Sequence, residues 1–173
     1  MQTLLRRLAA FGLALAALFS LFPCQTHAVS TSASSAILMD VDSGRVLYEQ
    51  NADAKMLIAS TTKILTALVA IREGDLNDVV TVSREAAYTE GSSMYLKVGE
   101  KLTLETLLYG LLLCSGNDAA VAIAEHISGS QEDFAKLMNA TAREIGMEHS
   151  SFANPNGLDH EDHYSTARDM AAP

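Results

Sequence analysis

Apolar and polar positions divide this chain into short elements. Residues 36–41 (Ala-Ile-Leu-Met-Asp-Val) and 45–50 (Arg-Val-Leu-Tyr-Glu-Gln) flank Asp42, Ser43 and Gly44. Two short runs around a turn cluster whose glycine accepts a positive φ predict a β-hairpin. Over 60–72, Ile64, Leu65, Ala67, Leu68, Val69, Ala70 and Ile71 fall on nearly every side of a helix. Such a helix is expected to be buried all round and to stop at Gly74. Residues 79–82 (Val-Val-Thr-Val) read as a short strand or extended edge, Ser83 as the cap of a brief helical turn to Ala87, and Gly91, Ser92 and Ser93 as a loop. Thr103, between Leu102 and Leu107, reads as a helix cap inside a hydrophobic staple, with Glu105 in the favourable first turn. Leu104, Leu107, Leu108, Leu111 and Leu112 then repeat at helical spacing to about Cys114. Further helices are expected over 118–128, closed by Gly129, and from a cap at Ser130 to Gly146, with Phe134, Leu137, Met138 and Ile145 on one face. Asn154, Pro155, Asn156 and Gly157 make a turn by residue type. Thr166 with Asp169 reads as the capping box of another helix. Helices in series imply an all-helical lobe.

The N-terminus says where such a lobe resides. Arg6 and Arg7 precede an uncharged apolar stretch over 8–22, the pattern of an export signal and shorter than the roughly 20 residues of a bilayer span. Thr26 and Ala28 put small residues at the outer and inner positions of a cleavage site, so residues 1–28 are expected to be removed. A lipidated Cys24 is disfavoured because Pro23 stands where such a site wants a small residue; a lipidated or uncleaved form would tether the same domain to the same side of the membrane. The expected location is the periplasm or the outer face of the cytoplasmic membrane. Removal of 1–28 leaves 10 basic against 21 acidic residues, a net charge of −11. A domain this acidic argues against nucleic acid as a partner. Cys114 is then the only cysteine, so no internal disulfide forms. Its place at the end of a leucine-rich stretch predicts a buried thiol. Residues 29–173 suffice for one core. A hairpin without further strands is marginal in water, and the helix capped at Thr166 has only just begun when the sequence reaches Pro173, four residues after Asp169. These two features lead us to expect the N-terminal part of a longer domain.

The candidate chemistry begins at Ser60 and Lys63. Three residues apart at the start of a helix, they share a face, so the Lys63 amine reaches the Ser60 hydroxyl. Ser60 is a weak nucleophile until a base takes its proton, and Lys63 serves if burial lowers its pKa from about 10.4 towards neutrality. Ser115 and Asn117 lie in the break between two helices, Ser115 as a proton relay to a leaving amine and Asn117 as the amide holding Lys63 or a substrate amide. Each motif alone is also a capping serine, a surface lysine or a polar interhelical turn; it is their order and combination that narrow the choice.

Ser-x-x-Lys followed by Ser-Gly-Asn at a helix junction resembles the penicillin-recognising serine acyl enzymes. Within them, the closest resemblance is to the D-alanyl-D-alanine carboxypeptidases, the low-molecular-mass penicillin-binding proteins. It is carried by the hairpin over 36–48, by 59–63 (Ala-Ser-Thr-Thr-Lys), Gly91 and Ser92, 110–120 (Gly-Leu-Leu-Leu-Cys-Ser-Gly-Asn-Asp-Ala-Ala), Phe134, Met138 and Asn139, and 152–158 (Phe-Ala-Asn-Pro-Asn-Gly-Leu). The resemblance implies an α+β, β-lactamase/transpeptidase-like fold, an antiparallel sheet flanked by helices beside an all-helical lobe, with the site between them and only the N-terminal part present. It implies Ser60 as nucleophile, Lys63 as general base, and Ser115 and Asn117 as the second serine and asparagine. The implied substrate is a peptidoglycan stem peptide ending in D-Ala-D-Ala, cleaved through an acyl-enzyme, with β-lactams acylating the same serine. No metal or cofactor is required. The family's Lys-Thr-Gly strand, which supplies an oxyanion-hole N–H and grips the substrate carboxylate, is missing from the sequence. The 173 residues alone are therefore expected to be inactive or nearly so, and a membrane tether would belong to a further C-terminal region.

Two rival functions share parts of this pattern. A class A β-lactamase needs a Glu-x-x-Leu-Asn string, which 73–77 (Glu-Gly-Asp-Leu-Asn) spells, but directly after the nucleophile helix rather than after the second motif; it reads as a polar helix end. A non-catalytic wall-binding module would keep the fold without the third motif. The cluster Asp159, His160, Glu161, Asp162 and His163 reads as a solvated loop, because its histidines lack the i, i+4 spacing of a zinc pair. His126 and His149 stand isolated.

Overall fold

The computed structural model describes residues 31–172, and every element below belongs to the unit spanning residues 33–173. The expected export signal and its cleavage site lie outside the described residues. Strands β1 (Ala36–Met39) and β2 (Val46–Gln50) form the expected hairpin, in antiparallel register from Ala36 opposite Gln50 to Leu38 opposite Tyr48, with a slip before Met39. Its turn is held by Asp40, whose carboxylate accepts from the Ser43 amide and hydroxyl, and Gly44 takes φ +67°. A 3₁₀ turn, Ala59–Thr61, runs directly into helix α1 (Thr62–Glu73), which Gly74 ends. Strand β3 (Val79–Thr81) pairs with β4 (Lys101–Thr103). The residue pattern read β4 only as the lead-in to a helix; as a strand it needs its partner 22 residues earlier.

The helices begin where side-chain caps predict. Ser83 accepts from the Ala86 amide ahead of α2 (Arg84–Ala87), Thr103 from Thr106 ahead of α3 (Leu104–Leu113), and Ser130 from Asp133 ahead of α5 (Gln131–Glu144). Thr166 accepts from Asp169 ahead of α6 (Ala167–Met170). Helix α4 (Asn117–Ser128) closes on Gly129 at φ +80°. It is the central element, packed against α1, α2, α3, α5 and β3, with every residue from Asn117 to Ala124 buried. Its small side chains let the surrounding helices approach, and Leu65, Val69, Leu104, Leu107, Leu111, Phe134 and Met138 fill the space around it. Among the described residues no helix is long and apolar enough to cross a membrane.

Two expectations are corrected. Helix α1 is not buried all round: Ile64 is 46% and Ile71 56% exposed, because α3, α4 and α5 pack against its other faces, leaving Ile71 on a shallow apolar surface with Leu76, Tyr109 and Leu112 and Ile64 beside a groove with Leu111 and Leu112. Cys114 is exposed. It would continue the buried row Leu104, Leu107, Leu108, Leu111, but the helix ends at Leu113 and the chain turns away through Ser115 at φ +53°.

Candidate active site

The 3₁₀ turn and the first turn of α1 set Ser60 at the surface and Lys63 inward. The Lys63 side chain is only 2% exposed, and its Nζ donates to Ser60 Oγ at 3.1 Å, Asn117 Oδ1 at 2.7 Å and the Asn156 carbonyl at 2.8 Å. These three acceptors are uncharged. Burial, which penalises the ammonium, pushes the Lys63 pKa down from 10.5 to about 8. A neutral amine keeps two protons and one lone pair. Its two closer partners, Asn117 Oδ1 and the Asn156 carbonyl, accept only, so they hold the two N–H bonds and turn the lone pair to the Ser60 hydroxyl. That arrangement takes a proton from Ser60.

Asn117 is fixed at both ends of its amide. While Oδ1 accepts from Lys63, Nδ2 donates to the Glu90 carbonyl at 2.7 Å, and its backbone N–H donates to Ser92 O at 2.7 Å. Gly91, at φ +93°, passes so close that a Cβ would lie 2.5 Å from Asn117 Nδ2. The neighbouring Asp118 is fully buried and accepts from Ser93 Oγ and the Met94, Leu96 and Ala119 amides. Burial alone would raise its pKa, but these hydrogen bonds outweigh burial and hold it below the usual carboxylate value. Asp118 thus anchors the loop over 91–96 against the start of α4.

A second loop closes the site from the other side. In the turn over 154–158, Asn154 Oδ1 accepts from the Gly157 amide at 2.7 Å and Asn156 Oδ1 from the Leu158 amide at 3.1 Å. Gly157, at φ +88°, lies against Ala59, whose carbonyl oxygen would be 2.0 Å from an added Cβ. Pro155 O accepts from Thr66 Oγ1 at 2.6 Å, one helical turn beyond Lys63. A groove of about 340 Å³ runs over Ser60, Lys63 and Ser115, walled by Ile64, Leu111 and Leu112. Ser115 reaches it from the left-handed backbone conformation, which is uncommon for a residue with a side chain.

The four residues singled out from the sequence therefore converge: Ser60, Lys63 and Asn117 are joined by hydrogen bonds, and Ser115 lines the same groove. Sequence reasoning did not find the Asn156 carbonyl, Asp118 or His163. A backbone carbonyl has no residue signature, although the turn-forming Asn-Pro-Asn-Gly string marks the segment that presents it. His163 is not part of a solvated loop. It is 1% exposed and bonded through Nε2 to Thr62 Oγ1 at 2.7 Å. His126 and His149 face Asp78 and Asp169 at 3.2 and 3.9 Å, contacts the sequence did not reveal. Glu73 is the last residue of α1, exposed, and followed by a turn in which Asp75 Oδ1 accepts from the Asn77 amide. It is a helix end, as the polar string after the apolar run of α1 suggested.

The description "D-alanyl-D-alanine carboxypeptidase" belongs to the family that matches residues 23–172. The D-alanyl-D-alanine carboxypeptidase DacF of Bacillus subtilis is 44% identical over 152 residues, which are 85% of this chain and 39% of that protein. The solved D-alanyl-D-alanine carboxypeptidase of Mycobacterium tuberculosis superposes with a TM-score of 0.81 at 35% identity, covering 88% of this chain and 58% of its own. Penicillin-binding protein 5 of Haemophilus influenzae gives 0.79 at 34% identity, over 85% and 45%. The chain spans about two-fifths of the length of the curated relatives it matches.

Proposed function

The chain belongs to the D-alanyl-D-alanine carboxypeptidase family and carries part of its α+β, β-lactamase/transpeptidase-like fold, and on that premise we propose that its site performs serine acyl transfer on peptidoglycan stem peptides ending in D-Ala-D-Ala. The observation that carries this reading is the buried Lys63 amine, held by Asn117 and Asn156 with Ser60 Oγ 3.1 Å away. Ser60 Oγ attacks the carbonyl between the two D-alanines and its proton passes to Lys63 Nζ. The oxyanion forms beside the Ser60 amide at the start of α1, where the helix dipole favours negative charge. Ser115 relays the proton to the departing D-alanine amine, and water then hydrolyses the ester on Ser60. Asn117 orients Lys63 through Oδ1, and any contact of its amide with the substrate would need Nδ2 to share or leave the Glu90 carbonyl. A β-lactam ring acylates the same oxygen by opening its amide bond. The export pattern over 1–28 supports action outside the cytoplasmic membrane.

The test uses the intact protein with a fluorescent penicillin and a synthetic peptide ending in D-Ala-D-Ala. Covalent label on Ser60 and release of D-alanine are expected, both abolished in Ser60→Ala. Retained wall binding in Ser60→Ala without label in the wild type would instead indicate a binding module. Rapid β-lactam turnover without D-alanine release would indicate a β-lactamase. The 173-residue sequence contains no Lys-Thr-Gly. We infer that these residues by themselves are labelled about 10²–10³ more slowly than a chain that has the second oxyanion donor.

A further inference from the structure

We propose that His163 is a positioning residue for the Lys63 amine: its neutral imidazole ties the turn over 154–158 to the first turn of α1, and thereby keeps the Asn156 carbonyl on Lys63 and water away from it. This rests on Lys63 being the general base. The turn touches α1 at successive levels, Gly157 at Ala59, the Asn156 carbonyl at Lys63 and the Pro155 carbonyl at Thr66. Those contacts form only if the turn stays seated, and His163 bonds both to α1 and to the residue that leads into the turn. Its Nε2 lies 2.7 Å from Thr62 Oγ1, beside Lys63 on α1, and its Nδ1 accepts from the Ala153 amide at 3.1 Å, at the entrance to the turn.

The tautomer follows from these bonds. The Ala153 N–H requires a lone pair on Nδ1, so the neutral ring carries its proton on Nε2 and donates it to Thr62 Oγ1. The ring is itself held in place. Phe152 meets it edge-on, with centroids 5.7 Å apart at 86°. Ser151 and Tyr164 exchange two backbone hydrogen bonds of 2.9 Å on either side of the loop. Asn139 of α5 clamps the Phe152 backbone, accepting from its amide at 3.0 Å and donating to its carbonyl at 2.7 Å. With its surroundings fixed, the imidazole acts as a two-ended latch. Releasing it admits water to the Lys63 amine, whose low pKa is caused by burial.

The experiment compares His163→Leu, which fills the space and makes neither bond, with His163→Gln, which keeps a donor for Thr62, and with Thr62→Val, which removes only the hydroxyl partner. In the intact protein, acylation by fluorescent penicillin is followed against pH, and the Lys63 Nζ titration is read directly by ¹⁵N NMR. The wild-type midpoint is expected near pH 8. In His163→Leu it moves upward by about one unit, which is about a tenfold lower rate at neutral pH; Thr62→Val moves it in the same direction by less, and His163→Gln recovers most of the rate. A purely structural role would lower thermal stability and leave the midpoint in place. An unchanged midpoint in a folded His163→Leu, or in Thr62→Val if the leucine variant does not fold, overturns the proposal. If the wild type takes no label, the acyl-transfer reading fails, and the Nζ titration of the same variants still decides between these outcomes.

Discussion

At the scale of single residues, the site depends on two residues held in unfavourable states. Lys63 is a cation with almost no access to water, and its ammonium is kept by three hydrogen bonds to uncharged acceptors. In the folded protein it loses its proton near pH 8, against 10.5 for an unburied lysine. Between those values the unfolded chain binds the extra proton, so this group makes stability rise with pH from about 8 to 10.5 and not below. Chemical denaturation across that range is expected to show the rise in wild type and to lack it in Lys63→Met. Ser115 carries a different strain, a left-handed backbone at φ +53° that costs a serine about 1 kcal/mol or more. Ser115→Gly relieves that strain while deleting the hydroxyl. The glycine variant should match or exceed wild-type stability in a thermal melt while its acylation rate drops by about 10², the lower end of what a proton-transfer group contributes. Unchanged acylation would remove Ser115 from the proton path.

At the scale of elements, the catalytic geometry is the meeting of one helix start with two loops. The 3₁₀ turn contributes Ser60 and helix α1 Lys63, the loop over 91–96 backs Asn117, and the turn over 154–158 caps Lys63 from the far side. Gly157 passes so near the Ala59 carbonyl that a Cβ there would clash with it, and a backbone atom cannot swing aside. Gly157→Ala meets both that contact and a positive φ, so the turn must lift. The expected outcome is a loss of about 2 kcal/mol or more in denaturant unfolding, together with at least a tenfold lower acylation rate as the Asn156 carbonyl leaves Lys63. Wild-type rates in Gly157→Ala would show that the carbonyl contact is dispensable.

At the scale of the whole molecule, buried polar groups hold these loops to the helical core and set the response to acid. Asp118 is fully buried under four hydrogen-bond donors, and its carboxylate is favoured over the acid. It contributes stability above the unfolded value near 3.8 that disappears as pH falls below it. His163 is held neutral by burial, and by the nearby His160, against the opposing pull of Asp159. Below about 6.5 the unfolded chain takes a proton that the folded one refuses, so stability falls from that pH downward. Acid unfolding is thus expected in two stages, the upper one flattened in His163→Gln. Asp118→Asn sets an NH₂ against N–H donors and should cost about 3 kcal/mol at neutral pH in a denaturant titration.

The sequence by itself determined the features whose causes lie within a few residues. Caps at Ser83, Thr103, Ser130 and Thr166 form because each hydroxyl reaches an amide three positions ahead. The hairpin over 36–50 was legible in its turn residues, and the Ser60 and Lys63 pairing in helical spacing. Only the tertiary structure decided what surrounds Lys63, because its partners Asn117 and Asn156 lie 54 and 93 residues away and one of them acts through a backbone carbonyl. It also decided that the alanine-rich α4 lies at the centre while Ile64, Ile71 and Cys114 face outward, and that His163 is buried against Thr62. Burial depends on which elements pack against a face, and periodicity shows that a face is apolar without showing what covers it. For the same reason Ser-x-x-Lys names a nucleophile and a base, but the depressed pKa that makes the lysine a base exists only once distant loops have excluded water from it.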